Sequence, residues 1–78
     1  MWNKTEKGLC KTFEFKNFVE AFSFMTRVAF IAEAQNHHPD WQNTYNKVTI
    51  CLSTHDQNGE ITEKDEKLAS AIDKILNA

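Results

Sequence analysis

From Phe18 to Ala32 the apolar residues return every three or four positions, and in the stretches before and after they return every second one. A helix repeats every 3.6 residues and a strand every two, so this change of period dictates mixed secondary structure. The segment "KNFVEAFSFMTRVAFIAEAQ" predicts an amphipathic helix over about Asn17 to Gln35. Its expected core stripe is Phe18, Phe22, Met25, Ala29 and Ala32, with Val28 and Ile31 on the flank. Asn17 is the expected N-cap, and Glu20 stands three residues on, where a capping box places its acid. Pro39 forbids easy continuation, so the helix is expected to end near Asn36.

The flanking stretches alternate. "LCKTFEF" predicts a strand over 9–16 with Phe13 and Phe15 facing inward, and residues 2–7 can pair with it as a hairpin. "TYNKVTICLSTH" predicts another, with Val48, Ile50 and Leu52 on one face and Thr49, Cys51, Ser53 and His55 on the other. "WQNT" is a short partner strand or a lead-in. "DQNGE" is a loop with its turn at Asn58-Gly59. Thr62 then caps a last helix, with Glu63, Asp65 and Glu66 near its positive end and Leu68, Ile72 and Ile75 as its buried stripe. The order is ββ–α–ββ–α or β–α–β–α. Either implies an α+β fold, an antiparallel sheet of about four strands with helices packed on one face.

The 78 residues are expected to form a single domain over 1–78, near the small end of what folds alone. A wide apolar helix face on so small a domain implies a symmetric dimer or a dimer of dimers. The net charge is −2 and dispersed, whereas a phosphate-binding surface needs clustered Lys and Arg, so direct nucleic-acid binding is not expected. No apolar run approaches the roughly 20 residues that span a bilayer, so no membrane partner is expected. The start, "MWNKTEKGLCK", lacks an apolar signal core, which points to a cytoplasmic protein. Cys10 and Cys51 form no C-x-x-C pair and are expected as separate buried thiols.

The chemistry is concentrated in "NHHPDW", Asn36 to Trp41, and in His55 beyond the second predicted strand. His37, His38 and His55 admit three readings. A structural zinc site wants four N/S ligands at recognisable spacings, and neither H-x-x-x-H nor C-x-x-C occurs, so no metal is expected. Surface or capping histidines are the plain reading of any one of them. Together they also suit acid–base catalysis, because imidazoles give and take protons near neutrality without any cofactor. Glu33, four residues before His37, is placed to orient an imidazole or to accept a substrate hydrogen bond. Trp41 offers a flat wall for a planar ring. Asp40 is either a solvated carboxylate closing the turn or a functional one.

The stretch "EAQNHHPDWQNTYNKVTICLSTHDQNGEITEKDEKLASAID", Glu33 to Asp73, resembles the signature region of the pterin-4a-carbinolamine dehydratases. The shared pattern is E-x-x-x-H-H-P-x-W-x-N-x-Y-N-x-V, then S/T-T-H, a Gly-containing turn and D-x-x-L-A. The upstream "FKNFVEAFSFMTRVAFIAE" resembles the family's long helix, and the similarity runs over about residues 9 to 76. It implies dehydration of 4a-hydroxytetrahydrobiopterin to quinonoid dihydropterin, which recycles the pterin cofactor of aromatic amino acid hydroxylases. It also implies that His37, His38 and His55 carry the site, with His37 and His55 as the proton-transfer pair and His38 mainly binding. By the same matching, Glu33, Asn36, Trp41, Ser53, Thr54 and Asp56 line the pterin pocket, and Asp65 caps the last helix. Three departures stand out. Family members usually begin with another helix before the first strand, and this chain starts near that strand. Position 36 is Asn where some relatives carry Asp, and the turn before Asp65 is one residue longer than in animal relatives. Two alternatives remain open. One is a non-catalytic interaction module, since animal relatives also serve as dimerisation cofactors for a homeodomain transcription factor. The other is a pterin role near molybdopterin metabolism.

Overall fold

A computed structural model describes residues 1–54 and 60–77. The chain runs β1 (Asn3–Thr5), β2 (Gly8–Glu14), α1 (Phe18–Gln35), β3 (Asp40–Thr44), β4 (Lys47–Leu52) and α2 (Glu63–Leu76). This is the ββ–α–ββ–α order. The four strands form one antiparallel sheet in the order β1-β2-β4-β3, so the two central strands are those with the strongest alternation. Both helices pack on one face, which makes the fold α+β as the sequence implied. Among the described residues no helix is long and apolar enough to cross a membrane.

Local chemistry explains where each element begins and turns. Gly8 sits at φ 112, and a Cβ there would run into the Leu52 carbonyl, so the β1–β2 turn needs glycine both for its backbone and for the close approach to β4. The β3–β4 hairpin turns through Tyr45, which holds a positive φ of 51. Asn43 steadies it by donating from Nδ2 to the Tyr45 and Lys47 carbonyls. Asn17 caps α1 by accepting the Glu20 amide at 2.9 Å, and the Glu20 carboxylate accepts the Lys16 amide just outside the helix.

The core is built by Leu9 and Phe13 of β2, Val48, Ile50 and Leu52 of β4, Ala21, Phe24, Val28 and Ala32 of α1, and Leu68, Ala69, Ile72 and Ile75 of α2. The α1 contribution corrects the expected stripe. Ala32 is buried, but Phe18 and Phe22 are about half exposed, at 47% and 54%, and Ala29 is exposed too. The helix carries two apolar stripes side by side. Periodicity alone does not say which one meets the sheet, and the one with small residues at Ala21 and Ala32 allows the closer approach. Phe13 is buried as expected, whereas Phe15 is only half-buried, at the β2 exit, where its amide and carbonyl pair with Asn46. Trp2 and Lys11 both reach Asp73 of α2, at 3.0–3.1 Å and 3.0 Å, tying the first two strands to the last helix.

The cysteines require a second correction. Cys10 and Cys51 are not separate thiols but a disulfide, joined across β2 and β4. They are 41 residues apart in sequence, yet the antiparallel register sets them directly opposite each other with Cα atoms 4.1 Å apart. Spacing along a chain does not reveal such a pairing. Strand register does.

Candidate active site

The site grows from the way α1 ends. Asn36 adopts the left-handed conformation (φ 51, ψ 43), and its amide is donated back to the last turn. The His37 amide follows it, donating to the Ala32 carbonyl at 3.0 Å. Asn tolerates this conformation better than most residues, which is a backbone reason for its presence here. The reversal lifts His37 and His38 off the helix axis and sends them in different directions.

His37 turns inward. Its side chain is 12% exposed, and Nε2 lies 2.5 Å from Oδ1 of Asp65, a carboxylate fully buried in the first turn of α2. The second oxygen of Asp65 accepts the Thr62 amide at 2.8 Å and the Thr54 hydroxyl at 3.0 Å. Thr54 and Thr62 hydroxyls are 2.6 Å apart. An ionised carboxylate can only accept, so Thr54 donates to Asp65 and Thr62 donates to Thr54. The same logic sets the imidazole. His37 gives its Nε2–H to Asp65, and Nδ1 is the nitrogen left to give or take a proton. Burying a carboxylate is costly unless every lone pair direction is answered. Here three donors and the positive end of α2 answer it.

His38 turns outward. Its Nε2 pairs with Glu33 Oε1 at 2.8 Å, both groups being well exposed at 60% and 81%. Glu33 therefore holds His38, not His37 as its i, i+4 spacing implied. The left-handed residue at 36 breaks the helical phase on which that spacing rule depends.

The other expected site residues divide. Thr54 is buried and supplies one of the three donors to Asp65, while its amide donates to the Glu60 carbonyl at 3.1 Å. Ser53 is half-buried between Thr54 and the end of β4. Asn36 is exposed at the helix end, and Asp40 is exposed as the first residue of β3. Trp41 lies across the sheet from Ile50 and lines an apolar cleft of about 260 Å³ with Phe22, Met25, Thr26, Ala29 and Phe30 of α1. It is not part of the Asp65 network. His55 and Asp56 lie outside the described residues, as does the expected Asn58-Gly59 turn. Among the described residues no three His, Cys, Asp or Glu side chains cluster as metal ligands.

What the sequence did not disclose was the second role of Asp65. Its capping-box pairing with Thr62 was legible, and that pairing is present. The T-x-x-D spacing even says that the carboxylate points back past the helix start. It does not say that the end of α1 is waiting there with His37.

Known proteins resemble this chain over nearly its whole length. A protein of Prochlorococcus marinus strain NATL2A, named "Putative pterin-4-alpha-carbinolamine dehydratase", is 56% identical over 77 residues, covering 99% of this chain and 80% of the relative. A protein of the same name from Christiangramia forsetii is 53% identical over 77 residues, covering 99% and 78%. Among solved structures, the transcriptional coactivator/pterin dehydratase of Brucella melitensis superposes with a TM-score of 0.88 at 42% identity, over 95% of this chain and 80% of that one. The profile of the family described as pterin 4 alpha carbinolamine dehydratase matches residues 1–75. The chain thus belongs to the pterin-4-alpha-carbinolamine dehydratase family.

Proposed function

We propose that the chain is a hydro-lyase that dehydrates 4a-hydroxytetrahydrobiopterin to quinonoid dihydropterin and water. The observation that carries this reading is the His37–Asp65 pair: an imidazole held by a fully buried carboxylate, in a member of this family. In the reaction the C4a–O bond breaks, a proton goes to the departing hydroxyl to make water, the N5 proton leaves to a base, and a C4a=N5 double bond forms. No electrons are exchanged, so one proton donor and one proton acceptor suffice, and the mechanism calls on no resident cofactor or metal. We assign those roles to His37 and His55. His38, with Glu33 behind it, binds and positions the pterin, and Asn36, Ser53, Asp56 and Trp41 complete the pocket. The Thr54 backbone pairs with Glu60, and Thr54 enters the site through its hydroxyl, which steadies Asp65 beside the pterin. The setting is expected to be cytoplasmic.

The test is a turnover assay on 4a-hydroxytetrahydropterin generated in situ, with wild type beside His37→Ala and His55→Ala. Each variant is expected to lose about 10²–10⁴-fold in rate, the usual contribution of a general acid or base. No acceleration by folded wild type would remove the dehydratase reading. A rate flat from about pH 5 to 9 would remove histidine proton transfer.

A second reading has one observation behind it. Phe18, Val19, Phe22 and Phe30 of α1 are exposed at 47–75%, on the side of β3, which is an outer strand of the sheet among the described residues. We propose that further copies of the chain cover this face, as a dimer or a dimer of dimers. An interaction module is the alternative use of the same surface, and the Brucella melitensis neighbour bears a coactivator name as well as a dehydratase one. Light scattering at micromolar concentration separates them at the first step, since a clean monomer would rule out self-association.

A further inference from the structure

The Cys10–Cys51 bond lies on the sheet face that carries no helix, and its position relative to the site is specific. Cys51 sits in β4 between two partners, Cys10 of β2 on one side and Asp40 of β3 on the other. Going back from Asp40, the chain passes Pro39 and His38 to His37. Going forward from Cys51, it passes Leu52 and Ser53 to Thr54, whose hydroxyl holds Asp65 and through it His37. Of the two connections that carry the His37–Asp65 network, one thus enters the sheet at the cross-row that the disulfide spans and the other leaves it one row beyond. The bond also closes a loop with a sequence separation of 41 that contains all of α1, the two histidines and β3. Cys10 is partly exposed, and Cys51, though only 9% exposed, lines an open depression with Lys7, Asp40, Trp41, Gln42 and Thr49.

We propose that this disulfide is a redox-operated staple that sets the order of the His37–Asp65–Thr54 network. A dithiol reductant opens it: one thiolate attacks Cys10 Sγ, Cys51 leaves as a thiolate and takes up a proton, and the second thiol of the reductant closes its own disulfide to release Cys10. Two electrons and two protons pass to the protein, and the reductant is oxidised to its cyclic disulfide. The oxidised state holds the cross-row at the mouth of both connections. In the reduced state β2 and β4 keep their ladder, but Cys10 and Cys51, a non-hydrogen-bonded pair of that ladder, lose their direct link, and the end of β4 nearest Thr54 is held to β2 by the neighbouring rows alone. Local opening of strand ends is what such a loss promotes. The proposal concerns the same residues as the dehydratase reading, but its test reads structure rather than turnover, so either can fail without the other.

The full-length chain, purified in air, is first assayed for thiols in guanidinium chloride, where burial cannot hide them. None is expected before treatment with dithiothreitol and both cysteines after it. Amide hydrogen exchange is then followed in both states at Thr54 and His37, whose amides donate to Glu60 and Ala32, and at Leu68 in the core of α2. Reduction is expected to speed exchange at Thr54 and His37 by about tenfold or more beyond the rise at Leu68, which reports the loss of global stability that opening the bond brings; the excess is the pattern of local opening. The Cys10→Ser/Cys51→Ser variant is expected to match the reduced protein and to ignore dithiothreitol. Two free thiols in the air-purified protein would overturn the proposal. So would unchanged exchange at Thr54 and His37, or a rise at Leu68 equal to theirs, which would make the bond a general stabiliser.

Discussion

At the scale of single residues, Asp65 is the side chain on which most depends. It is fully buried and accepts from a histidine, a hydroxyl and an amide. Asp65→Asn keeps its size but replaces one oxygen with an NH₂ that faces existing donors. Hydrogen bonds to a charged group are each worth about 1.5–3 kcal/mol, so this variant is expected to lose roughly 2–3 kcal/mol of stability in urea denaturation. Its dehydratase rate is expected to drop at least about tenfold at a temperature where it stays folded, because His37 loses the partner that fixes its tautomer. Glu33→Gln is the contrasting case. The Glu33–His38 pair is mostly exposed, and such pairs contribute about 0.2–1 kcal/mol at most, so no more than a few tenths is expected in the same measurement. The histidine pair and its surroundings were legible in the sequence because H-H-P is dense and distinctive. Which carboxylate held which imidazole was not, because that depends on the left-handed turn at Asn36 and on how α2 docks.

At the scale of elements, α1 shows what periodicity leaves open. Its position, its Asn17 cap and its end at Asn36 follow from the sequence, as does the Thr62 cap of α2. The buried stripe does not, since Phe18–Phe22–Met25–Ala29 and Ala21–Phe24–Val28–Ala32 both fit a helical repeat. The two stripes predict opposite mutational behaviour. Phe24 is 3% exposed and packs against Phe13 and Phe15 at ring distances of 4.8 and 4.9 Å, so Phe24→Ala is expected to cost about 3–5 kcal/mol in chemical denaturation. Phe22→Ser with Phe30→Ser is expected to leave the fold intact and to lower the molecular mass seen by light scattering. Loss of folded monomer in that double variant would mean that the outward stripe serves the chain's own core after all.

At the scale of the whole molecule, the disulfide compensates for a small core. A chain of 78 residues buries only roughly 60% of its unfolded surface. A bond closing a loop of this length is worth about 4 kcal/mol in the chain-entropy account, and measured values run about 2–4. For a domain of this size that corresponds to a melting temperature lower by about 10 °C or more in the reduced protein, checked by scanning with and without dithiothreitol. The architecture as a whole was legible, since the period changes give the elements and alternation gives the antiparallel sheet. The cross-link was not, because it is a property of register between strands separated by a helix and a hairpin.

The knot at Asp65 has a consequence for timing. Its ties come from the end of α1, the exit of β4 and the start of α2, three segments that meet only when both helices have settled on the sheet. No partly assembled chain can present an oriented His37. During refolding, turnover should return in step with the last tertiary contacts, neither ahead of them nor in a later adjustment of its own, so the moment the chain finishes folding is the moment it becomes competent.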